Sequence, residues 1–167
     1  IQLFIARRLI FKKWKEALGG NLSTISSGSA ALQPRLARIF TAAGITIAEG
    51  YGLTETSPVI SVNDMRRNQL KIGSVCPLLD DVEVKIAEDG EILCKGPNVM
   101  MGYYKDKKKT NEVIKDGYFH TGDIGHIDKD GFLKITDRKK EMFKTSGGKY
   151  IAPQVIENSM KQSIFID

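Results

Sequence analysis

Residues 45–58 constrain what this chain can fold into more than any other segment. An apolar, β-prone run ends here in a glycine, an aromatic residue and a second glycine, and a hydroxyl and a carboxylate follow: Gly50, Tyr51, Gly52, Thr54 and Glu55. The glycines let a backbone approach a flat ligand closely, and the ring offers a stacking face. The hydroxyl can bond a phosphate, and the carboxylate is a hard oxygen ligand that suits Mg²⁺. Taken alone, the pattern is also typical of an ordinary strand-to-loop turn.

The first part of the chain alternates helical and β-like patterns. Apolar residues at helical spacing predict helices over residues 1–18 and 32–43, and β-prone runs predict strands over 21–27 and 45–48. Such a series is α/β in character. The first helix is basic and amphipathic. Its apolar side either packs on its own domain, which we favour because two glycines end the helix sharply, or lies on an anionic membrane.

From residue 68 onward, short strands and turn signals replace this pattern. The alternation predicts two hairpins, formed by strands 82–86 and 91–95 and by strands 123–127 and 132–136. A short polar helix is predicted over residues 107–114, and a further helix is predicted to begin near Pro153. This middle portion therefore reads as a β-rich unit that carries one short helix.

The change of pattern divides the chain into three parts. We predict the end of an α/β subdomain over residues 1–67, a β-barrel-like subdomain over 68–137, and a charged junction with the start of a small domain over 138–167. The fold class is thus α/β followed by a β-rich subdomain. Both ends lie within apolar patterns, which indicates a piece of a longer protein. A second copy of the chain could cover the apolar surface exposed at such ends, so a homodimer is one possible assembly.

Composition excludes several classes of protein. The 167 residues carry a net charge of +5, but no aromatic stacking pattern accompanies the basic stretches, so nucleic acid is not expected as a partner. No apolar run is long enough for a transmembrane helix, and no signal peptide is recognisable. Cys76 and Cys94 are isolated in the sequence, so reduced thiols and a cytoplasmic location are expected. Peripheral contact with a membrane stays open.

Three further blocks follow in order. They contain Asp116-Gly117-Tyr118-Phe119-His120-Thr121-Gly122-Asp123, then Thr136-Asp137-Arg138-Lys139-Lys140, then Ser146-Gly147-Gly148-Lys149-Tyr150. Together with residues 48–58, these blocks resemble the adenylate-forming superfamily of acyl-CoA synthetases, luciferases and the adenylation domains of peptide synthetases. Residues 51–58 and 137–153 are most similar to long-chain fatty acid–CoA ligases. The resemblance implies a fragment of the adenylate-forming enzyme fold, namely the end of its large domain, the hinge and the start of its small domain.

The resemblance also implies a reaction in two steps. A fatty acid carboxylate attacks the α-phosphate of ATP and gives an acyl-adenylate and pyrophosphate, and the thiol of CoA then attacks the activated carbonyl. The implied substrates and cofactors are a fatty acid, ATP or AMP, CoA and Mg²⁺. Positioning and electrostatics dominate such chemistry, and little covalent work falls to the protein.

Individual residues receive roles from the same resemblance. The implied nucleotide-binding residues are Gly28, Ser29, Ala30, Gly50, Tyr51, Gly52, Thr54, Asp123, Ile135 and Arg138. Tyr51 would stack on adenine, Thr54 would bind the α-phosphate and Glu55 would hold Mg²⁺. Asp123 would accept bonds from the ribose hydroxyls, and Arg138 would donate to ribose or phosphate. The structural alternatives are a core tyrosine, a capping or solvated glutamate, a turn aspartate and a surface ion pair.

The junction has implied roles of its own. Lys140 falls where the family places the hinge about which the small domain rotates between the two steps, and it is grouped with Thr54, Glu55 and Arg138 as catalytic. Gly147 and Gly148 match the loop on the CoA side, although two adjacent glycines also make a simple turn. His120 and His126 match no acid–base arrangement and are interpreted as structural.

The chain departs from the family at two points. A phosphate loop ending in Lys-Gly and a C-terminal catalytic lysine do not occur in the 167 residues, so we expect the chain alone to be inactive. Two other hypotheses stay open. One keeps the chemistry and changes the substrates, as in an adenylation domain for another carboxylic acid that feeds a carrier-protein thiol. The other is a non-catalytic nucleotide-binding module. The intact candidate residues argue against the latter.

Overall fold

The structure is a computed structural model that describes residues 2–65, 69–147, 150–151, 153–161 and 163. Within these ranges, no helix combines the length and the apolar composition that crossing a bilayer requires.

The chain begins with one helical rod, as predicted. It consists of α1 (Gln2–Ala6), a π-helical segment (Arg7–Phe11) and α2 (Lys12–Ala17). Two glycines with positive φ follow it and end the helix. The Trp14 ring lies 6.0 Å from the Phe40 ring, so the predicted packing on the chain itself is found at this position. Phe4 and Leu9, by contrast, are 67% and 61% exposed.

A small α/β unit comes next. Strand β1 (Thr24–Ser27), helix α3 (Pro34–Ala42) and strand β2 (Thr46–Tyr51) form a parallel pair with its crossover helix. Pro34 occupies the first turn of α3, where its missing N–H costs nothing. The short strand β3 (Ser61–Val62) adds to β2 in the antiparallel sense. Ile45 and Ile60 are fully buried and anchor this sheet. Tyr51, the last residue of β2, lies at the carboxyl end of the central strand of this sheet.

Antiparallel strands build the middle of the chain. They are β4 (Glu83–Ile86), β5 (Glu91–Lys95), β6 (Ile114–Lys115), β7 (Tyr118–Ile127) and β8 (Leu133–Arg138), with helix α4 (Lys107–Val113) before β6. Both predicted hairpins are present, and β7 pairs with β5, β6 and β8. Val75, Ile92 and Leu133 form a buried core on which Tyr51 packs. The second sheet is thus joined to the end of β2.

The last described elements follow the charged junction. Strands β9 (Phe143–Lys144) and β10 (Tyr150–Ile151) pair with each other, and helix α5 (Pro153–Met160) contacts β8. The helix begins at Pro153, as the sequence predicted. Strand β8 continues through Arg138, so the proposed boundary between residues 137 and 138 falls inside a strand. The division of the chain into three parts stays a prediction.

Candidate functional site

A cavity of about 600 Å³ lies between the first sheet and strand β8. Its size is within the range of small-molecule sites. Eight of the ten predicted nucleotide-binding residues line it, namely Ser29, Ala30, Gly50, Tyr51, Gly52, Asp123, Ile135 and Arg138. Their sequence positions span more than a hundred residues, so it is the fold that brings them together. The cavity is the candidate nucleotide site.

Three of these residues form a bonded cluster. The Tyr51 hydroxyl donates a hydrogen bond to Asp123 Oδ2 over 2.8 Å, and Arg138 Nε lies 3.3 Å from Asp123 Oδ1. The register of β7 and β8 places Asp123 opposite Arg138, while Tyr51 arrives from the end of β2. The Thr121 hydroxyl accepts from the Asp123 backbone N–H over 3.1 Å. The three side chains of the cluster therefore come from three strands, β2, β7 and β8, each of which is paired with other strands of its sheet.

Burial controls the electrostatics of the cluster. Asp123 is 4% exposed, and burial raises its pKa, while the Tyr51 hydroxyl and the Arg138 charge act in the opposite direction. Burial, followed by the nearby Asp123 charge, raises the pKa of the Tyr51 hydroxyl. Tyr51 therefore stays a donor at neutral pH. The Arg138 side chain is 61% exposed, so its guanidinium can reach a bound ligand.

Close backbone approach explains the glycine at position 52 but not the one at position 28. A Cβ atom on Gly28 would make an ordinary contact, 3.4 Å from the Gly50 carbonyl oxygen. A Cβ atom on Gly52 would overlap the Pro58 carbonyl oxygen and lie 2.8 Å from Val59 Cα. The loop after β2 can fold back only because residue 52 has no side chain.

Thr54 and Glu55 belong to a short 3₁₀ turn, Thr54–Thr56, beside the cavity rather than to its lining. Thr56 is fully buried, and its hydroxyl accepts from Leu53 N over 2.9 Å and donates to Leu53 O over 3.0 Å. This internal bonding leaves Thr54 exposed and Glu55 partly exposed. Both side chains remain accessible to a phosphate or a cation.

The other predicted residues within the described ranges do not line the cavity. Gly28 is exposed in the turn after β1, and Lys140 and Gly147 are exposed on the junction. Gly148 lies outside the described residues. His120 Nδ1 is 3.1 Å from a carboxylate oxygen of Glu91, and His126 is exposed on β7. The hinge and CoA-side roles stay predictions.

Sequence reasoning missed two acidic residues of the lining. Asp137 is 1% exposed, and its Oδ2 atom has no hydrogen-bond partner among the described residues. Glu49 accepts from Gly73 N over 2.8 Å, and burial raises its pKa despite that bond. An unpartnered buried acceptor is costly unless a ligand or water satisfies it. The only sequence signal for Asp137 as a lining residue is that it directly precedes Arg138.

A third missed residue, Glu91, organises the strands behind the cavity. Its carboxylate accepts from Gly122 N over 3.0 Å and from Lys139 Nζ over 2.8 Å. One carboxylate oxygen is also within hydrogen-bond distance of His120 Nδ1. Burial alone would raise the pKa of Glu91, but Lys139, His120 and the Gly122 N–H together lower it. Glu91 therefore ties the residue before Asp123 to the residue after Arg138.

We expect Glu91→Gln to lower the free energy of unfolding by about 2 kcal/mol at neutral pH, because a buried charged acceptor is lost. The ion pair with half-exposed Lys139 contributes the smaller part of this loss, since solvent screens it. Because folding lowers the pKa, this stabilisation is present above the ordinary value of 4.5 and disappears as the pH falls below it. Urea denaturation across pH measures both effects. The control is Glu88→Gln, a change at an exposed residue in the turn before β5. An equal loss of stability in both variants would contradict the predicted role of Glu91.

Comparisons with known proteins identify the family of the chain. The model of the AMP-binding enzyme family matches residues 4–104, and the chain belongs to that family. A long-chain-fatty-acid–CoA ligase of Mycobacterium bovis is 46% identical over 154 residues, which are 92% of this chain and 25% of the relative. The peroxisomal long chain acyl-CoA synthetase 7 of Arabidopsis thaliana is 42% identical over 95% of this chain and 25% of its own length. The chain thus spans about a quarter of these relatives.

Solved structures show the same fold. The o-succinylbenzoate CoA synthetase of Bacillus subtilis, in complex with its acyl-adenylate intermediate, has a TM-score of 0.76 and 27% identity, covering 91% of this chain and 34% of that one. The apo form of MatB from Rhodopseudomonas palustris has a TM-score of 0.71 and 34% identity, covering 89% of this chain and 32% of that one. The predicted fold class, a fragment of the adenylate-forming enzyme fold, is confirmed.

Proposed function

We propose that the chain is the nucleotide-binding part of an ATP-dependent long-chain fatty acid–CoA ligase. The observation that carries the proposal is the Tyr51–Asp123–Arg138 cluster at a cavity of about 600 Å³. The similarity to fatty acid–CoA ligases over more than nine-tenths of the chain supports the substrate class. Because the chain spans a quarter of those relatives, the activity is proposed for the full-length protein that contains it.

The reaction has two group transfers. A carboxylate oxygen of the fatty acid attacks the α-phosphorus of ATP, the bond to the β-phosphate oxygen breaks, and pyrophosphate leaves. The sulfur of CoA then attacks the acyl carbon of the adenylate, its proton goes to solvent, and the bond to AMP breaks. Both steps need a nucleotide held in one orientation with its phosphate charge compensated.

The cluster suits the task of orienting the nucleotide. The Asp123 carboxylate keeps acceptor capacity beyond its bonds to Tyr51 and Arg138, so it can accept from ribose hydroxyls. The Arg138 guanidinium can donate to ribose or to the α-phosphate. The Tyr51 ring offers a face to adenine between two glycines, and Ile135 adds an apolar contact in the same cavity. Thr54 is exposed beside it for the phosphate.

Glu55 fits a magnesium site that is completed by substrate. Among the described residues, no group of three metal-ligating side chains exists, so the chain offers no full protein cage there. Mg²⁺ is commonly held by one or two carboxylates together with substrate phosphates and water. When bound, the ion would neutralise phosphate charge in the first step. Glu55 would contribute the carboxylate.

The second step needs access for CoA. We propose Lys140 as the hinge residue and Gly147 with Gly148 as the loop on the CoA side. The exposure of Lys140 and Gly147 supports a segment that can move. Fatty acid, ATP and CoA are the proposed partners. A cytoplasmic location is supported by two free cysteines, whereas membrane contact and a homodimer stay predictions.

The test is fatty-acid-dependent release of pyrophosphate by the full-length protein, with acids from short to long and with either CoA or a carrier-protein thiol as acceptor. Long acids with CoA are expected to give acyl-CoA, AMP and pyrophosphate in equal amounts. Turnover only with a carrier thiol would favour the alternative adenylation domain. ATP binding without turnover by any acid would favour the non-catalytic module and overturn the proposal.

A further inference from the structure

The loop between β5 and α4, residues 96–106, is bonded to the turn that carries Glu55. Met100 N donates to the Glu55 carbonyl oxygen over 2.8 Å, and the Tyr103 hydroxyl donates to Glu55 Oε1 over 2.9 Å. Asn98 Nδ2 donates to the Val59 carbonyl oxygen over 2.9 Å. Main chain and side chain of Glu55 are therefore held by one loop that lies about fifty residues away in sequence.

Tyr103 is itself held firmly. Its backbone N–H donates to Thr110 Oγ1 over 2.9 Å, and the ammonium of Lys109 lies 4.2 Å from the centre of its ring. A Cβ atom on Gly102 would lie 2.7 Å from Thr110 Cγ2, so this glycine lets the loop close on α4. Asp106 caps that helix by accepting from Lys109 N over 2.9 Å. The Tyr103 hydroxyl thus has a fixed position.

We propose that Tyr103 is a positioning residue for the metal site, in which its hydroxyl fixes one carboxylate oxygen of Glu55 and leaves the other for the cation. Among the described residues, Tyr103 is the only side chain that donates to this carboxylate. A glutamate side chain has three rotatable bonds. When a partner already holds it in one conformation, metal binding no longer has to supply the conformational entropy cost of ordering it. The inference rests on the proposed function, since it assigns the cation to Glu55.

The test compares Tyr103→Phe with the wild type in the full-length protein. Mn²⁺ replaces Mg²⁺ at carboxylate and phosphate ligands, and its binding in the presence of ATP and without fatty acid is followed by EPR. Loss of a partner of this kind weakens metal binding about tenfold or more, so the Kd for Mn²⁺ should rise by that factor. The Mg²⁺ concentration for half-maximal pyrophosphate release should rise in parallel, while AMP affinity without metal stays constant. Tyr104→Phe, a change at an 89% exposed neighbour, should alter none of these.

A double variant separates positioning from stability. In a Glu55→Gln background, Tyr103→Phe should leave metal binding unchanged, because its route through the carboxylate is already gone. Equal shifts in both backgrounds, an unchanged Kd in the single variant, or unfolding of Tyr103→Phe at the assay temperature would overturn the inference. If Glu55→Gln alone leaves metal binding intact, the metal role in the proposed function fails and the inference fails with it.

Discussion

Asp123→Ala is expected to reduce kcat/KM for adenylate formation by about a hundredfold or more. Hydrogen bonds to a charged acceptor contribute about 1.5–3 kcal/mol each, and Asp123 is proposed to accept from two ribose hydroxyls. The change also removes the shared partner of Tyr51 and Arg138. Pyrophosphate release by the full-length protein under subsaturating ATP gives the ratio. AMP affinity, measured by calorimetry, should fall with it.

The control for this prediction is Asp130→Ala, which removes a surface carboxylate that pairs with Lys71 in the turn before β8. Surface ion pairs contribute little, about 1 kcal/mol at most, so kcat/KM should stay within about twofold of the wild type. Asp123 is buried and lines the cavity, whereas Asp130 is exposed. Activity of Asp123→Ala within tenfold of the wild type would remove Asp123 from the ribose site.

Gly52→Ala should destabilise the protein by about 3 kcal/mol, the upper end for overpacking, because the new methyl group meets backbone that no side-chain rotation can clear. The Pro58 carbonyl and Val59 Cα would have to move, and with them the turn that carries Thr54 and Glu55. Urea denaturation gives the stability change. Adenylate formation is expected to fall as well, since the displaced turn carries Thr54 and Glu55, the proposed phosphate and metal ligands.

Gly50→Ala is the matched comparison for stability. A Cβ atom there would make only ordinary contacts, the nearest at 3.6 Å from Val62 Cγ2, and strand geometry suits alanine at that position. Its free energy of unfolding should change by less than about 1 kcal/mol. Similar stability of the two variants would mean that the loop after β2 adapts, and the close approach at Gly52 would not constrain the site.

Local signals predicted the strands and helices well. The alternation around Glu88-Asp89-Gly90 predicted the first hairpin, and Pro153 predicted the start of α5. Both succeeded because period-two patterns, turns and helix starts depend on residues that are neighbours in sequence. The two-residue strands β3 and β6 were not predicted, since two residues carry no periodicity. The predicted packing of the first helix holds only in part, because Trp14 contacts Phe40 whereas Phe4 is 67% exposed.

Contacts between distant residues were beyond sequence reasoning. The resemblance named Tyr51 and Asp123 separately, but their hydrogen bond joins residues 72 positions apart. Tyr103 carries no motif signal that distinguishes it from Tyr104, and only the loop geometry separates the hydroxyl bound to Glu55 from the exposed one. In the sequence, Glu91 is only a strand residue of a predicted hairpin. Its three partners lie on β7 and on the charged junction, which are distant from it in sequence, so only the fold shows these contacts.

The most direct test of the central claim is exchange of labelled pyrophosphate into ATP by the full-length protein, with a long-chain fatty acid and without CoA. An adenylate-forming site predicts exchange that requires the fatty acid and Mg²⁺ and that is lost in Glu55→Gln. Absence of exchange in the wild type, or release of ADP in place of AMP, would contradict the account. Either result would show that the cavity beside Tyr51, Asp123 and Arg138 does not form an acyl-adenylate.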